Sequence, residues 1–400
     1  MNVAMVNTSA RRGGAARVAR DLASGLMQAG VRVTLYHADD AAEAGVERGE
    51  RRLGSRSLNA LLARTTGRPV AVDFGFAGSV AAAERDAQVL HVHNLHGYYL
   101  DFPRLLAAFA QRPVVWTWHD MWGATGRCAF AGPCTGYQTG CQKCPDLSTY
   151  PAAWVDRAGG WWREKRRLFS AMPNLHVVAP SRWLADVALG MGLAPAQVSV
   201  IRNPLDLAGF SPLEPRQARS ALGLDPDLQY LLFIADNCED ERKGFRDFAE
   251  LLERTGRPGL VVGQPPKRFK VPATYVGRLQ DRARLAQCYS AAALTVVPSQ
   301  ADNVPNTVLE SMACGTPVVA YDVGGIAEQL PERSPGLVAP GDVAGLCAAV
   351  EASLERPIDG LAEHAHRFAG LDAAVTEYRS LYERLLGARC HRLNGVGSRA

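Results

Sequence analysis

Two carboxylates eight positions apart, Asp302 and Glu310, stand within the stretch Leu294–Glu328. They can do chemistry together only if the chain brings both to one surface, and the local punctuation does this. Leu294–Val297 is an apolar, partly β-branched run stopped by Pro298, which reads as a buried strand. Ser299–Pro305 is polar, and Asp302, Asn303 and Pro305 mark it as a loop. Asn306–Ala313 carries Val308, Leu309 and Met312 at helical spacing, with Asn306 or Thr307 as the cap. Gly315 ends that helix, Pro317–Ala320 starts a further strand, and Gly324–Gly325 opens another helix. Asp302 therefore lies beyond the carboxyl end of a parallel strand and Glu310 one helical turn in, at the edge where open α/β sheets bind ligands. The N–H groups of Val304–Val308 and Gly325–Ala327 point at the same space, which suits a phosphate. Facing it, Glu310 accepts hydrogen bonds from two neighbouring hydroxyls, as a ribose presents them; facing away, it is a solvated helix residue.

Asp302, the seven residues after it and Glu310 resemble the acid-x7-Glu signature of retaining glycosyltransferases of family 4, and CGTPVVAYDVGGIAE (314–328) extends the likeness. The resemblance implies an α/β fold of the GT-B class, two doubly wound Rossmann-like domains facing across a cleft. It also implies that Glu310 holds the nucleotide ribose and that the loop Asn303, Val304, Pro305, Asn306 and Thr307 reaches the sugar and diphosphate. Asp302 stands where the family usually has Glu, one methylene longer. Lys243–Gly244 matches the family's lysine before glycine, placed to neutralise a diphosphate. The arginine that usually follows the preceding strand is replaced by Asp236–Asn237, which leaves Arg242 as the substitute. Gly277, before Arg278, is assigned to the base or diphosphate pocket. Near the N-terminus, strand Asn2–Asn7 leads into TSARRGG and a helix from about Ala15 to Ala29. Taken alone that is a tight turn or a phosphate approach; GGAAR (Gly13–Arg17) looks like the family's first glycine-rich loop, so Gly13 and Gly14 join the donor side.

A second group of side chains could act on protons or hydroxyls. The strands Gln88–His93 and Val114–Trp118 deliver His93, His96, His119 and Asp120 to one sheet edge. A lone histidine is usually structural, but three strand-end imidazoles converging on one edge are harder to set aside. HVHNLHGYY and TWHDMW look like a branch of the family found in bacterial exopolysaccharide assembly, including colanic-acid-type enzymes. By that likeness His119 lies near the transferred sugar and His93, His96 and Asp120 on the acceptor side. His119, Asp302 and Lys243 are the catalytic candidates.

Cys128, Cys134, Cys141 and Cys144 fall within CAFAGPCTGYQTGCQKCP. Four thiolates ending in C-x2-C can close a structural zinc site; disulfides, or free thiols packed in an insertion at 119–150, are the other readings. WWREKRR places Trp161 and Trp162 beside Arg163, Lys165, Arg166 and Arg167. This suits either an interfacial helix touching anionic headgroups or a core helix with solvated charges.

The elements that must hold these groups fit within 400 residues as two domains. Residues 1–202 form the N-terminal, acceptor-binding domain and 203–370 the nucleotide-sugar-binding domain. A helix at 371–387 crosses back to the first, with 388–400 as a tail. Ala38–Arg56 is charged and irregular and reads as a loop. Hydrophobic residues make up 47%, charged residues 21%, and the formal charge is +4. That balance is globular and excludes a dedicated nucleic-acid binder. No run matches a membrane span or signal peptide, so a cytoplasmic protein with at most peripheral contact at the inner membrane face is expected. The expected activity is retaining transfer of a sugar from a UDP- or GDP-sugar to a saccharide or polyprenyl-diphosphate-linked acceptor, with no obligate cofactor. A nucleotide-sugar 2-epimerase on the same fold and a non-catalytic sugar-nucleotide binder are the alternatives.

Overall fold

The computed structural model describes residues 1–11, 13–37, 46–48, 55–67, 87–267, 271–332 and 334–396. Apart from a short strand and a helix start, the stretch Ala38–Arg56 lies outside them. The chain divides into two compact units, Met1–Leu205 with Leu371–Ala400, and Asp206–Gly370.

The first unit is built on a seven-stranded sheet of β1 (Asn2–Asn7), β2 (Arg32–His37), β3 (Val46–Arg48), β4 (Val89–Val92), β5 (Val114–Thr117), β6 (Leu175–Ala179) and β7 (Val198–Val200). The order is β3-β2-β1-β4-β5-β6-β7, with every pairing parallel. The order reverses between β1 and β4, which makes their carboxyl ends the ligand-binding edge of a doubly wound sheet. Val3–Val6 and Val89–Val92 are buried on both faces, as the apolar runs require. One face is covered by the helix Gly14–Gln28, whose Val18, Leu22 and Leu26 are spaced four apart and buried. Beside it lies the helix Leu371–Val396, contributing Val375, Tyr378, Leu381 and Tyr382. The two helices cross closely at Gly25, where an added Cβ would come within 2.5 Å of Val375. This last helix runs on past residue 387 to Val396. ARC-HRL after Gly387 contains good helix formers, and one glycine costs only about 1 kcal/mol. The opposite face holds an aromatic core with Trp116, Trp118, Trp122, Phe102 and Phe169.

The WWREKRR segment belongs to that core, within the helix Ala158–Ala171. Trp162 is buried and donates its indole N–H to the Tyr137 carbonyl at 2.8 Å. Trp161 is half-buried, packed on Phe102, and Lys165 is wholly buried. The expected membrane-facing pair of tryptophans is therefore corrected: the helix turns this face inward. A lysine can do so because its ammonium finds the carbonyls of Trp122 and Thr125 and lies 3.7 Å over the Trp122 ring. Burial pushes Lys165 down to about 7, against the opposing pull of Cys128, Cys141 and Asp120.

Cys128, Cys134, Cys141 and Cys144 lie in the segment that follows the strand Val114–Thr117. All four thiols are free, and among the described residues no group of three or more His, Cys, Asp or Glu side chains is placed to hold a metal ion. They are not paired as disulfides. Burial raises the Cys128 thiol to about 11 and the Cys141 thiol in the same direction, so both stay protonated. The loop is held by buried Arg127, whose guanidinium donates to the carbonyls of Asp146 (2.9 Å), Leu147 (2.9 Å), Thr149 (2.6 Å) and Pro151. Arg127→Met would leave these carbonyls without their donor. We expect a loss of roughly 3 kcal/mol, or a fall in Tm of about 6–12 °C for a unit of this size. Calorimetry would check this; a Tm within about 2 °C of wild type would mean the loop holds itself.

The second unit carries a six-stranded parallel sheet of β8 (Tyr230–Asn237), β9 (Gly259–Gln264), β10 (Ala273–Gly277), β11 (Ala292–Val297), β12 (Val318–Tyr321) and β13 (Leu337–Val338). Its order is β10-β9-β8-β11-β12-β13, so the reversal falls between β8 and β11. The helix Phe245–Thr255 follows β8 and buries Phe245, Phe248, Leu251 and Leu252 in the core. The loops after β8 and β11 thus flank the switch point.

Candidate functional site

Two glycines bring the loops of the second unit together. Gly244 has φ +72°, and a Cβ there would stand 1.8 Å from the Pro298 carbonyl, so the turn after β8 can pack on the loop after β11 only with glycine. The Gln300 N–H donates to the Arg242 carbonyl at 2.8 Å, and Arg242 Nη1 donates to the Ala301 carbonyl at 3.2 Å. On the other side Gly324, φ +60°, lies against the Asp302 carbonyl, and the Gly325 N–H donates to the Asn303 carbonyl at 2.8 Å.

This zippering sets three charges side by side. Lys243 Nζ lies 2.5 Å from Asp302 Oδ2, and Arg242 Nη1 lies 3.5 Å from the same oxygen. Arg242 is steadied by Asp240, 3.1 Å away, and Asp302 also accepts from the Asn303 N–H at 3.1 Å. Burial pushes the Asp302 carboxyl up, but Lys243 and Arg242 outweigh it and hold it below its ordinary range. The structure thus brings Arg242, Lys243 and Asp302 into one cluster. At the same sheet edge Gly277 ends β10 with φ +83°, and the Arg278 after it pairs with Asp236 at 3.2 Å.

Glu310 is only 6% exposed and accepts a hydrogen bond from the Tyr289 hydroxyl at 2.8 Å through Oε2. It is not a solvated surface acid. Its helix, Asn306–Ala313, starts as the sequence suggested, but the cap residue is Pro305 with extended backbone, and neither Asn306 nor Thr307 caps it. Proline's fixed φ, here −68°, sets the entry without a side-chain bond. Asn303 and Val304 are buried, and the Pro305 carbonyl accepts from Gln329 at 3.1 Å.

In the first unit the carboxyl ends of β1, β4 and β5 gather the imidazoles. The Asn94 N–H donates to Asn7 Oδ1 at 3.1 Å, and the Thr8 hydroxyl donates to the carbonyls of Asn94 and His96. His93 Nδ1 and His119 Nε2 are hydrogen-bonded at 2.8 Å. His96 Nε2 lies 2.7 Å from Asp120 Oδ2, while Asp120 Oδ1 accepts from the Trp122 N–H. Burial pushes the Asp120 carboxyl up, yet His96 and the Trp122 N–H bring it below its ordinary range. Gly13, exposed with φ +90°, and Gly14 open the helix after β1. All three acceptor-side candidates and His119 therefore share one edge of this sheet.

Sequence reasoning missed three contributors. His91 stacks on His93 at 4.4 Å and is hydrogen-bonded through Nδ1 to Tyr382 (2.7 Å) and through Nε2 to Thr117 (2.8 Å). Thr117 in turn is 2.8 Å from the Tyr378 hydroxyl. Tyr289 and Asp240 are the others, each acting through a contact that local sequence does not announce.

A model described as Glycosyltransferase Family 4 matches residues 12–208, and one described as Glycosyl transferases group 1 matches residues 229–356. A candidate colanic acid biosynthesis glycosyl transferase of Escherichia coli (strain K12), WcaC, is 29% identical over 320 residues, covering 74% of this chain and 76% of its own. The D-inositol 3-phosphate glycosyltransferase 2 of Catenulispora acidiphila is 34% identical over 222 residues, 48% of this chain and 52% of its own, so the chain spans about half of that relative. The crystal structure of Anabaena Alr3699/HepE in complex with UDP superposes with a TM-score of 0.66 at 18% identity, over 97% of this chain and 100% of that one. With two matched domains, each a doubly wound parallel sheet, the chain belongs to glycosyltransferase family 4 and has the GT-B fold.

Proposed function

We propose that the protein moves a sugar from a nucleotide-sugar donor to a saccharide hydroxyl with retention of anomeric configuration. The single observation that carries this reading is the cluster of Lys243 and Arg242 around Asp302 at the switch point of the second sheet. A departing diphosphate needs such preorganised cations, and Lys243 and Arg242 supply them without a metal. Glu310, whose Oε2 accepts from the Tyr289 hydroxyl, offers its carboxylate to the ribose hydroxyls. Asp302 then turns toward the sugar. HepE was crystallised with UDP, which supports a uridine donor ahead of a guanosine one.

The likeness to WcaC supports an acceptor in exopolysaccharide assembly, a saccharide on a polyprenyl diphosphate. Such work belongs in the cytoplasm, where nucleotide sugars are made. Among the described residues no helix is long and apolar enough to cross a membrane.

Thermal shift with UDP, GDP and ADP should single out one base, since a ligand that binds only the folded state stabilises it by mass action. Incubating the matching nucleotide sugar with candidate acceptors, and reading the product's anomeric coupling by NMR, then tests the reaction. Retention supports the reading and inversion overturns the mechanism. An isomerised nucleotide sugar in the absence of acceptor would make the protein an epimerase.

A further inference from the structure

His93 and His119 share a hydrogen bond of 2.8 Å between His93 Nδ1 and His119 Nε2. Burial first, and neighbouring imidazoles second, keep His93 well below its ordinary range, and burial brings His119 to about 4. Both rings are therefore neutral near pH 7, and each carries one proton on one of two nitrogens. Two arrangements satisfy the shared bond. In one, His93 Nδ1–H donates to the lone pair of His119 Nε2. In the other, His119 Nε2–H donates to His93 Nδ1, and the His93 proton sits on Nε2.

The surroundings of His93 Nε2 decide between them. His93 is fully buried, and among the described residues its Nε2 has no hydrogen-bond partner. A proton there would be an orphaned buried N–H, the rarer and costlier kind of unpaired group; a lone pair is the lesser penalty. The indole N–H of Trp118 is likewise buried without a partner, and it lines the same small cavity as His93 and His119. An indole nitrogen can only donate. An N–H on His93 Nε2 would add a second unpaired buried donor to this lining, whereas a lone pair adds none.

The plane of the His93 ring is held on both sides. It stacks on His91 at 4.4 Å and on His119 at 5.1 Å. His91 is pinned through both nitrogens, by Tyr382 and by Thr117.

We propose that His93 is a positioning residue that donates its Nδ1–H to His119 Nε2 and so locks His119 as the Nδ1–H tautomer. The Nε2 lone pair of His119 is then occupied and its Nδ1 carries the proton. In this state His119 is a hydrogen-bond donor at Nδ1 and cannot take a proton at Nε2 as a general base. That functional consequence rests on the reading of His119 as a substrate-facing residue; the tautomer itself does not.

The test is long-range 1H–15N correlation NMR on protein labelled with 15N-histidine, with His119 assigned by the loss of its signals in His119→Asn. Wild type should show a protonated Nδ1 and a pyridine-type Nε2 for His119 near pH 7. A protonated Nε2 overturns the proposal whatever the activity of the protein. His93→Leu should shift His119 toward Nε2–H, whereas His93→Asn, whose amide nitrogen replaces Nδ1, should keep Nδ1–H. An unchanged His119 tautomer in His93→Leu would show that something other than His93 sets it. Activity then separates the two readings: a confirmed tautomer with wild-type turnover in His119→Asn sinks the substrate role and leaves the lock standing.

Discussion

Lowering the pH from 7 to 5 should destabilise the N-terminal unit by about 4 kcal/mol through two histidines alone. Burial first, and the charge of His119 second, lower His91 to about 3; burial, then His91 and His119, hold His93 well below its ordinary range. Both are fully buried, so little solvent screens them. In the unfolded chain each takes up a proton near pH 6.5, while the folded chain leaves both rings neutral until far lower. Between those limits the unfolded state binds more protons, so stability rises with pH and falls on acidification. Each group contributes about 1.4 kcal/mol per pH unit, over about 1.5 units of the window. His119, lowered to about 4, acts with the same sign. Calorimetric scans at pH 7, 6 and 5 would show a steep fall in Tm. A flat profile would mean these imidazoles charge within the fold, and the buried network would have to be redrawn.

The second large effect is expected at Glu310. Glu310→Gln should weaken binding of the preferred nucleoside diphosphate about tenfold or more. Charged hydrogen bonds to the ribose contribute roughly 1.5–3 kcal/mol each, and about 1.4 kcal/mol is a factor of ten. The fold should survive, because the replacement is isosteric and still offers an oxygen to Tyr289. Asp302→Asn should behave differently. It removes the charge that engages Lys243 and Arg242 in the unliganded protein, so diphosphate affinity should hold or rise while turnover falls. Calorimetric titration of both variants reads the contrast. Glu310→Gln binding as tightly as wild type would remove the ribose from this carboxylate.

Much of this was written locally in the chain. The strand, loop and helix from Ala292 to Ala313 follow from an apolar run, Pro298, and helical spacing, and local signals suffice to place Asp302 and Glu310. What local pattern could not supply were partners distant in sequence. Lys165 looks like one charge among several in WWREKRR, and only the carbonyls of Trp122 and Thr125, about forty residues away, make its burial tolerable. In the cysteine segment nothing nearby says that Arg127 reaches four carbonyls as far on as Pro151. His91 sits in a strand buried on both faces, and its partner Tyr382 lies 291 positions on. The helix cap was misread for a different reason, since proline geometry substitutes for the side-chain bond that cap preferences anticipate.

The helix Leu371–Val396 completes the first unit although the whole second unit precedes it in the chain. A ribosome building this protein from its N-terminus therefore finishes the contiguous unit Asp206–Gly370 before the earlier one has its last helix. Until then the face holding His91 and Thr117 lacks the tyrosines that satisfy it, and the apolar surface beneath Tyr378 and Leu381 stays open. The usual order, in which the first-made domain settles first, is inverted. While the second unit is being made, the nascent N-terminal sheet has one face covered only by the helix Gly14–Gln28, and that is when it most needs protection from other chains.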